Sequence, residues 1–163
     1  MPRPAAPLTF LRRLDELHRV VQSISGEVWV AGVTAAALLG FDGYDLKAPF
    51  HLAVRHDRVV HRHGVILHRL RDIDRLDTTK AMGLPCLSAT RVLIELAATE
   101  RPKRLTTALD SALRDGWTAE QFLHRRLVAL RRRGRKGPTQ LLSVIAGAEA
   151  SRGGHSFLER EFL

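Results

Sequence analysis

Cysteine is almost missing from this chain: Cys86 stands alone among 163 residues. One thiol excludes an intrachain disulfide and any multi-cysteine metal site. Aromatic residues are scarce, at 6% with a single tyrosine, which leaves little material for a base-stacking platform of the kind single-strand binders use. No apolar run approaches the ~20 residues that span a bilayer, and Arg12, Arg13 and Asp15 interrupt the N-terminal stretch where a secretory signal would need an unbroken apolar core. Cytoplasmic localisation with no membrane partner is the expectation. Acidic residues are also few, 17 Asp and Glu against 26 Lys and Arg, a formal net charge of +9.

The imbalance is uneven along the chain. Residues 1–100 hold 13 basic and 11 acidic side chains, 13 − 11 = +2, whereas residues 101–163 hold 13 and 6, 13 − 6 = +7. A field concentrated in one part of a chain points to a polyanionic partner, nucleic acid first. The competing reading is a solvated arginine-rich surface that serves solubility alone. The apolar share of 45% is that of an ordinary soluble domain with a real core.

Hydrophobic spacing divides the chain. Phe10, Leu14, Leu17, Val21 and Ile24 recur at three- and four-residue steps and predict an amphipathic helix over 8–24, with Thr9 as a cap and Gly26 beyond its end. "EVWV" (27–30) is β-prone, and "TAAALLG" (34–40) reads as a short buried helix stopped by Gly40. "FHLAV" and "GVILHRL" predict two strands separated by the polar stretch "RHDRVVHRH". "TTKAMGLPCLS" (78–88) predicts two extended pieces around a turn at Gly83, with Pro85 at a strand start or edge because it has no N–H for a ladder.

From Ser88 the pattern is helical. Ser88 caps "ATRVLIELAAT", in which Arg91 and Glu95 lie one turn apart on what should be the exposed face. Pro102 opens a helix with Leu105, Leu109, Ala112 and Leu113 on one stripe and Gly116 at its end. Thr118 and Gln121 form a capping box for the helix that follows, and 138–150 is a further helix. The expected fold is α+β, a small mixed or antiparallel sheet packed with helices and followed by a helical C-terminal half. Three regions are expected: an α+β domain over 1–116, a basic helical extension over 117–152, and a short entry segment over 153–163.

Several stretches together carry a family resemblance. "AAALLGFDG" (35–43), "HLAV" (51–54), "GVILHRLRDI" (64–73), "GLPCLSATRVLIELAA" (83–98) and "ALDSALRDG" (108–116) stand in order and spacing that resemble the actinobacterial proteins related to AbiEi, the antitoxin of type IV toxin–antitoxin systems. "RRRGRKGPTQLL" (131–142) and "SFLEREFL" (156–163) resemble the segment through which many members run into a Vsr-like endonuclease domain of the PD-(D/E)XK type. The resemblance covers roughly 28–163 as several stretches in order rather than one motif. It implies that the DNA-binding winged helix and the nuclease core are both missing from this chain. It also implies a nucleotidyltransferase-like toxin or a nuclease domain as partner.

Candidate functional residues follow from chemistry. On a helical wheel Leu123, Leu127 and Leu130 form a buried stripe, with Arg125 and Arg132 almost opposite. Arg125, Arg126, Arg131, Arg132, Arg133, Arg135 and Lys136 place seven cations within 124–137, without one acid. Part of that run suits the negative end of a helix dipole, but seven mutually repelling cations point to phosphate contact with DNA, with a solvated linker to the absent nuclease as the other reading. Glu159 falls where the resembled nuclease places a first carboxylate. A lone carboxylate holds Mg²⁺ poorly, so with Ser156 it reads as a helix cap and the chain as non-catalytic. His51, His56, His61, His63 and His68 crowd 18 residues. His61 and His63 would share a face if extended, but no four-ligand set is complete, so the reading is strand-edge or surface histidines with no metal. Asp42, Asp45 and Asp57 read as turn residues, and Asp72, Asp74 and Asp77 as a loop without calcium-loop spacing. Trp29, Trp117 and Phe122 read as core or cap contacts. No cofactor is expected. The first functional reading is a non-catalytic, antitoxin-like regulatory domain that contacts the DNA backbone. Its alternatives are a truncated or split Vsr-like endonuclease and a protein–protein scaffold.

Overall fold

A computed structural model describes residues 6–131 and 136–151. The chain forms an α+β structure with a five-stranded mixed sheet and six α-helices among the described residues. Two compact units carry it: one spans Met1–Leu39 and Tyr44–Leu87, the other Gly40–Gly43 and Ser88–Leu163.

The first unit holds the sheet. Helix α1 (Leu8–Gln22) buries Leu17 and Val21 and leaves Leu8 and Leu11 exposed. Thr9 does not cap it. The capping position is Pro7, which makes no side-chain cap bond, and its carbonyl accepts from the Leu11 N–H at 3.1 Å. Strand β1 is only Trp29–Val30, and helix α2 is Gly32–Leu38, buried almost throughout because its alanines let it lie close against its neighbours. Strands β2 (Phe50–Arg55), β3 (Val65–Leu70), β4 (Thr78–Ala81) and β5 (Leu84–Leu87) complete the order β3-β2-β1-β5-β4.

β2 and β3 run parallel, with Phe50 opposite Val65 and Arg55 opposite Leu70. Parallel neighbours need a crossover, and most use a helix. Here the bare connection 56–64 makes the return, and two arginines fasten it. Arg58 donates from Nη1 to the Glu27 carbonyl at 2.7 Å and from Nη2 to the Ser25 carbonyl, and Arg62 donates from Nη2 to the Ser23 carbonyl at 2.7 Å. The loop is thereby tied to the link between α1 and β1.

β4 and β5 form a two-residue hairpin whose central residues, Met82 and Gly83, both have positive φ (49° and 76°). That is the turn whose twist matches paired strands. The Met82 carbonyl also accepts from His18 Nε2 of α1 at 3.1 Å. β5 lies inside the sheet, yet Pro85 is tolerated there. In such a hairpin the pair flanking the turn, Ala81 with Leu84, takes the hydrogen bonds, so Pro85 turns its nitrogen away from β4. On the other side the bridge to β1 falls at Cys86, one residue later. Before β4, Asp74 and Asp77 cap a short 3₁₀ turn (Arg75–Asp77) reciprocally: Asp74 accepts from the Leu76 N–H at 2.7 Å, and Asp77 from the Asp74 N–H at 3.1 Å. These carboxylates hold the chain's own backbone.

The second unit is helical. Ser88 caps α3 (Ala89–Leu96), accepting from the Arg91 N–H at 3.2 Å. Pro102 opens α4 (Pro102–Arg114). Gly116, at φ 73°, closes it in the left-handed conformation, with the Trp117 N–H reaching the Ala112 carbonyl at 2.9 Å and the Gly116 N–H the Leu113 carbonyl at 3.3 Å. Trp117 is thus a cap contact through its backbone while its side chain stays exposed. Helices α5 (Glu120–Arg131) and α6 (Lys136–Ser151) follow, and α6 packs on α3, α4 and α5.

Two expectations fail here. Thr118 and Gln121 share no hydrogen bond among the described residues; the Thr118 hydroxyl lies 2.7 Å from that of Thr90, and α5 begins beyond Ala119, whose carbonyl accepts from the Leu123 N–H. Arg91 is not on an exposed face: it is fully buried, and its Nε donates to Glu95 Oε1 at 2.7 Å. A carboxylate one turn away makes that burial tolerable.

Glu95→Ala, which removes a carboxylate partner of a fully buried guanidinium, is expected to cost on the order of 3 kcal/mol in urea unfolding, and Glu95→Gln less. Gly137, at the start of α6, is required by close approach, since a Cβ there would collide with the Ile94 carbonyl oxygen. Gly137→Ala should therefore lower stability by about 1–3 kcal/mol in the same assay.

Candidate nucleic-acid interface

Helix α5 sorts its residues by face. Leu123, Leu127 and Leu130 are 2%, 0% and 2% exposed, so this stripe is core, as its spacing predicted. A helix with one face sealed must present the other to solvent. Arg125 is exposed there, and it makes no hydrogen bond or ion pair with the described residues. Its neighbour Arg126 is half-buried, a different environment for the next residue along. Arg131 is the last residue of α5 and Lys136 the first of α6. Arg132, Arg133 and Arg135 lie outside the described residues, as do Ser156 and Glu159. The two ends of the basic run thus fall at the last residue of α5 and the first of α6.

Other cations of the C-terminal half are already engaged. Arg114 donates from Nη1 to Asp42 Oδ2 at 2.7 Å and from Nε to Asp115 Oδ1 at 3.1 Å. The hydrogen bond from Arg114 holds the Asp42 carboxyl below its ordinary value, and the Asp42 and Asp115 carboxylates push the Arg114 pKa up. Asp42 is thus more than a turn residue, and its backbone N–H also reaches Ser111 Oγ at 2.9 Å. Arg104 lies 3.6 Å from Glu100. These arginines are partnered by carboxylates and are poor candidates for a phosphate.

His61 and His63 sit in the 56–64 connection rather than on a strand. The pair that meets is His51 with His68: in the parallel register His68 stands opposite Ala53, diagonal to His51. The rings stack at 5.1 Å between centroids, with His51 Nδ1 2.8 Å from His68 Nε2. One nitrogen must donate and the other accept, so the contact requires at least one neutral ring. Only the register brings these two together; sequence spacing carries no mark of it. Among the described residues no three His, Cys, Asp or Glu side chains form a metal-binding group. Cys86 is buried in β5, and that burial pushes its thiol up to about 12, leaving it protonated and unreactive. Trp29 is core, with the Arg55 guanidinium 5.5 Å from its ring centroid, and Phe122 is half-buried.

No protein-family model, curated protein or solved structure matches this chain. Among the described residues no helix is long and apolar enough to cross a membrane.

The histidine contact has a pH consequence. Burial first, and the neighbouring His68 second, lower the His51 pKa below its ordinary 6.5. The unfolded chain therefore binds this proton more readily than the folded one. Stability is at its full value above about pH 6.5 and falls as pH drops through the window between the unfolded and folded values. Urea midpoints should be flat from pH 8 to 7 and decline toward pH 5, and His51→Phe should flatten the decline.

Proposed function

We propose that this chain is a non-catalytic, cytoplasmic, antitoxin-like regulatory domain that binds DNA through its phosphate backbone, using Arg125, Arg126, Arg131, Arg132, Arg133, Arg135 and Lys136. The observation that carries this reading is Arg125: it is exposed opposite a fully buried leucine stripe and has no ion-pair partner among the described residues. A cation in that position gains most from a polyanion, because neutralising phosphates releases their condensed counterions. The absence of acids from 124–137 supports the same reading, since nothing within the run would repel a phosphate. Backbone contact positions a protein on DNA without reading its sequence, so the interaction is sequence-tolerant. The resemblance to AbiEi-related proteins adds a toxin or nuclease domain as a protein partner of the same module.

Binding to a fluorescent duplex at a series of salt concentrations tests this. The log–log slope should be about −0.9 for each phosphate neutralised. Arg125→Ala should reduce its magnitude by about 1, and the triple change of Arg131, Arg132 and Arg133 to Ala by about 3. A flat salt response, or wild-type affinity in the triple variant, would sink the reading.

A further inference from the structure

The β2–β3 crossover borders an open second place where positive charge lacks a carboxylate. The 56–64 connection folds back over one face of β3 and leaves a cavity of about 530 Å³ between them, within the 300–1,000 Å³ range of small-molecule sites. Val59, Val60, Val65 and Leu67 form its aliphatic wall, and His61, Arg62, His63 and Arg69 supply all its other lining side chains. No acid lines it.

The two arginines are held in an unusual way. Arg62 Nη2 donates to the Ser23 carbonyl at 2.7 Å, and Arg69 Nη2 donates to the His56 carbonyl. Each carbonyl orients a guanidinium without neutralising it. Neither arginine makes an ion pair among the described residues, whereas Arg13 and Arg55 of the same unit are paired with Glu16 and Glu27. A guanidinium has five N–H donors in a fixed fork, so one anchored nitrogen leaves most of that fork for an oxyanion. Val59 completes the picture: it is 64% exposed and contributes little to the core, yet it stands on the cavity wall.

We infer that this cavity binds a small organic phosphate: an oxyanion held by Arg62 and Arg69, with an apolar body lying on Val59, Val60, Val65 and Leu67. A guanidinium fork matches a phosphate bidentately, and the aliphatic wall offers the organic part apolar contact. A nucleic-acid backbone fits less well. It is polar along its length and would leave that wall uncovered, and no Phe, Tyr or Trp lines the cavity to stack a base. The inference concerns residues outside the 124–137 basic run, so each reading stands or fails without the other.

Calorimetric titration of the full chain at low ionic strength tests it, with phenyl phosphate, inorganic phosphate and phenol as probes. Phenyl phosphate should saturate one site and bind at least roughly tenfold more tightly than either fragment. Arg62→Gln, which keeps an N–H for the Ser23 carbonyl but removes the charge, should weaken it by roughly tenfold or more. Val59→Asp places a carboxylate at an exposed position on the wall and should weaken it at least as much, with thermal unfolding unchanged. The inference is overturned if phenyl phosphate does not bind, if inorganic phosphate binds as well, or if both variants keep wild-type affinity. It is also overturned if Val59→Asp weakens binding of a DNA duplex and not of phenyl phosphate, which would make this surface part of a nucleic-acid interface.

Discussion

The sheet of the first unit depends on two residues. Trp29 and Val30 are all there is of β1, and through them the parallel pair β2–β3 is joined to the hairpin β4–β5. Val30 pairs antiparallel with Leu52 on one side and bridges parallel to Cys86 on the other. All three are completely buried, so the backbone groups at this point have no water to fall back on and must pair with one another. A strand this short has little cohesion of its own. Its position is secured on the β2 side by the flanking chain, where the Ala31 N–H reaches the His51 carbonyl at 2.9 Å and the His51 N–H the Thr34 hydroxyl at 2.8 Å. Cys86 is the one cysteine in the chain, and its place at this bridge accounts for it as a small buried apolar residue.

Positive charge, the strongest bulk property of the sequence, is not one feature in the structure. Arg91 lies inside the second unit with Glu95 beside it; Arg114 is shared between Asp42 and Asp115; Arg58 fastens a loop through backbone carbonyls. Each of these is a structural use of a cation, and a count of net charge cannot separate it from a functional one. Arg125 on the solvent face of α5, and Arg62 and Arg69 on the crossover cavity, are among the described arginines without a carboxylate. The difference matters because a paired guanidinium gains little from a new anion, whereas an uncompensated one gains the full charge-assisted contact.

Elements governed by local rules were legible from sequence. Leu123, Leu127 and Leu130 are core because a helix places such positions on one face, and Ser88, Pro102 and Gly116 mark helix ends because their backbone chemistry suits no other place as well. The failures share a cause. Thr9 and Thr118 have the right side chain for a cap, but Pro7 occupies the capping position in one case, and the Thr90 hydroxyl engages Thr118 in the other. Arg91 has the spacing of a surface ion pair with Glu95, and the spacing is right; its burial comes from what packs around α3. Of the candidate basic residues, the exposure of Arg125 was legible from helical periodicity. The half-burial of Arg126 was not, because it depends on neighbours remote in sequence.

Local residue patterns were enough for the α+β class, the order and approximate extent of the elements, the β4–β5 turn at Gly83, and the concentration of charge between 124 and 137. All of these rest on residues close to one another along the chain. Long-range packing was needed to set β2 and β3 parallel, to bring His51 against His68, and to settle which arginines meet an acid. The physical reason is common to all three. Strand direction, a diagonal cross-strand contact and the arrival of a remote carboxylate, as Asp42 reaches Arg114, are each set by partners distant in sequence, and no local pattern of residue types specifies which partner will arrive.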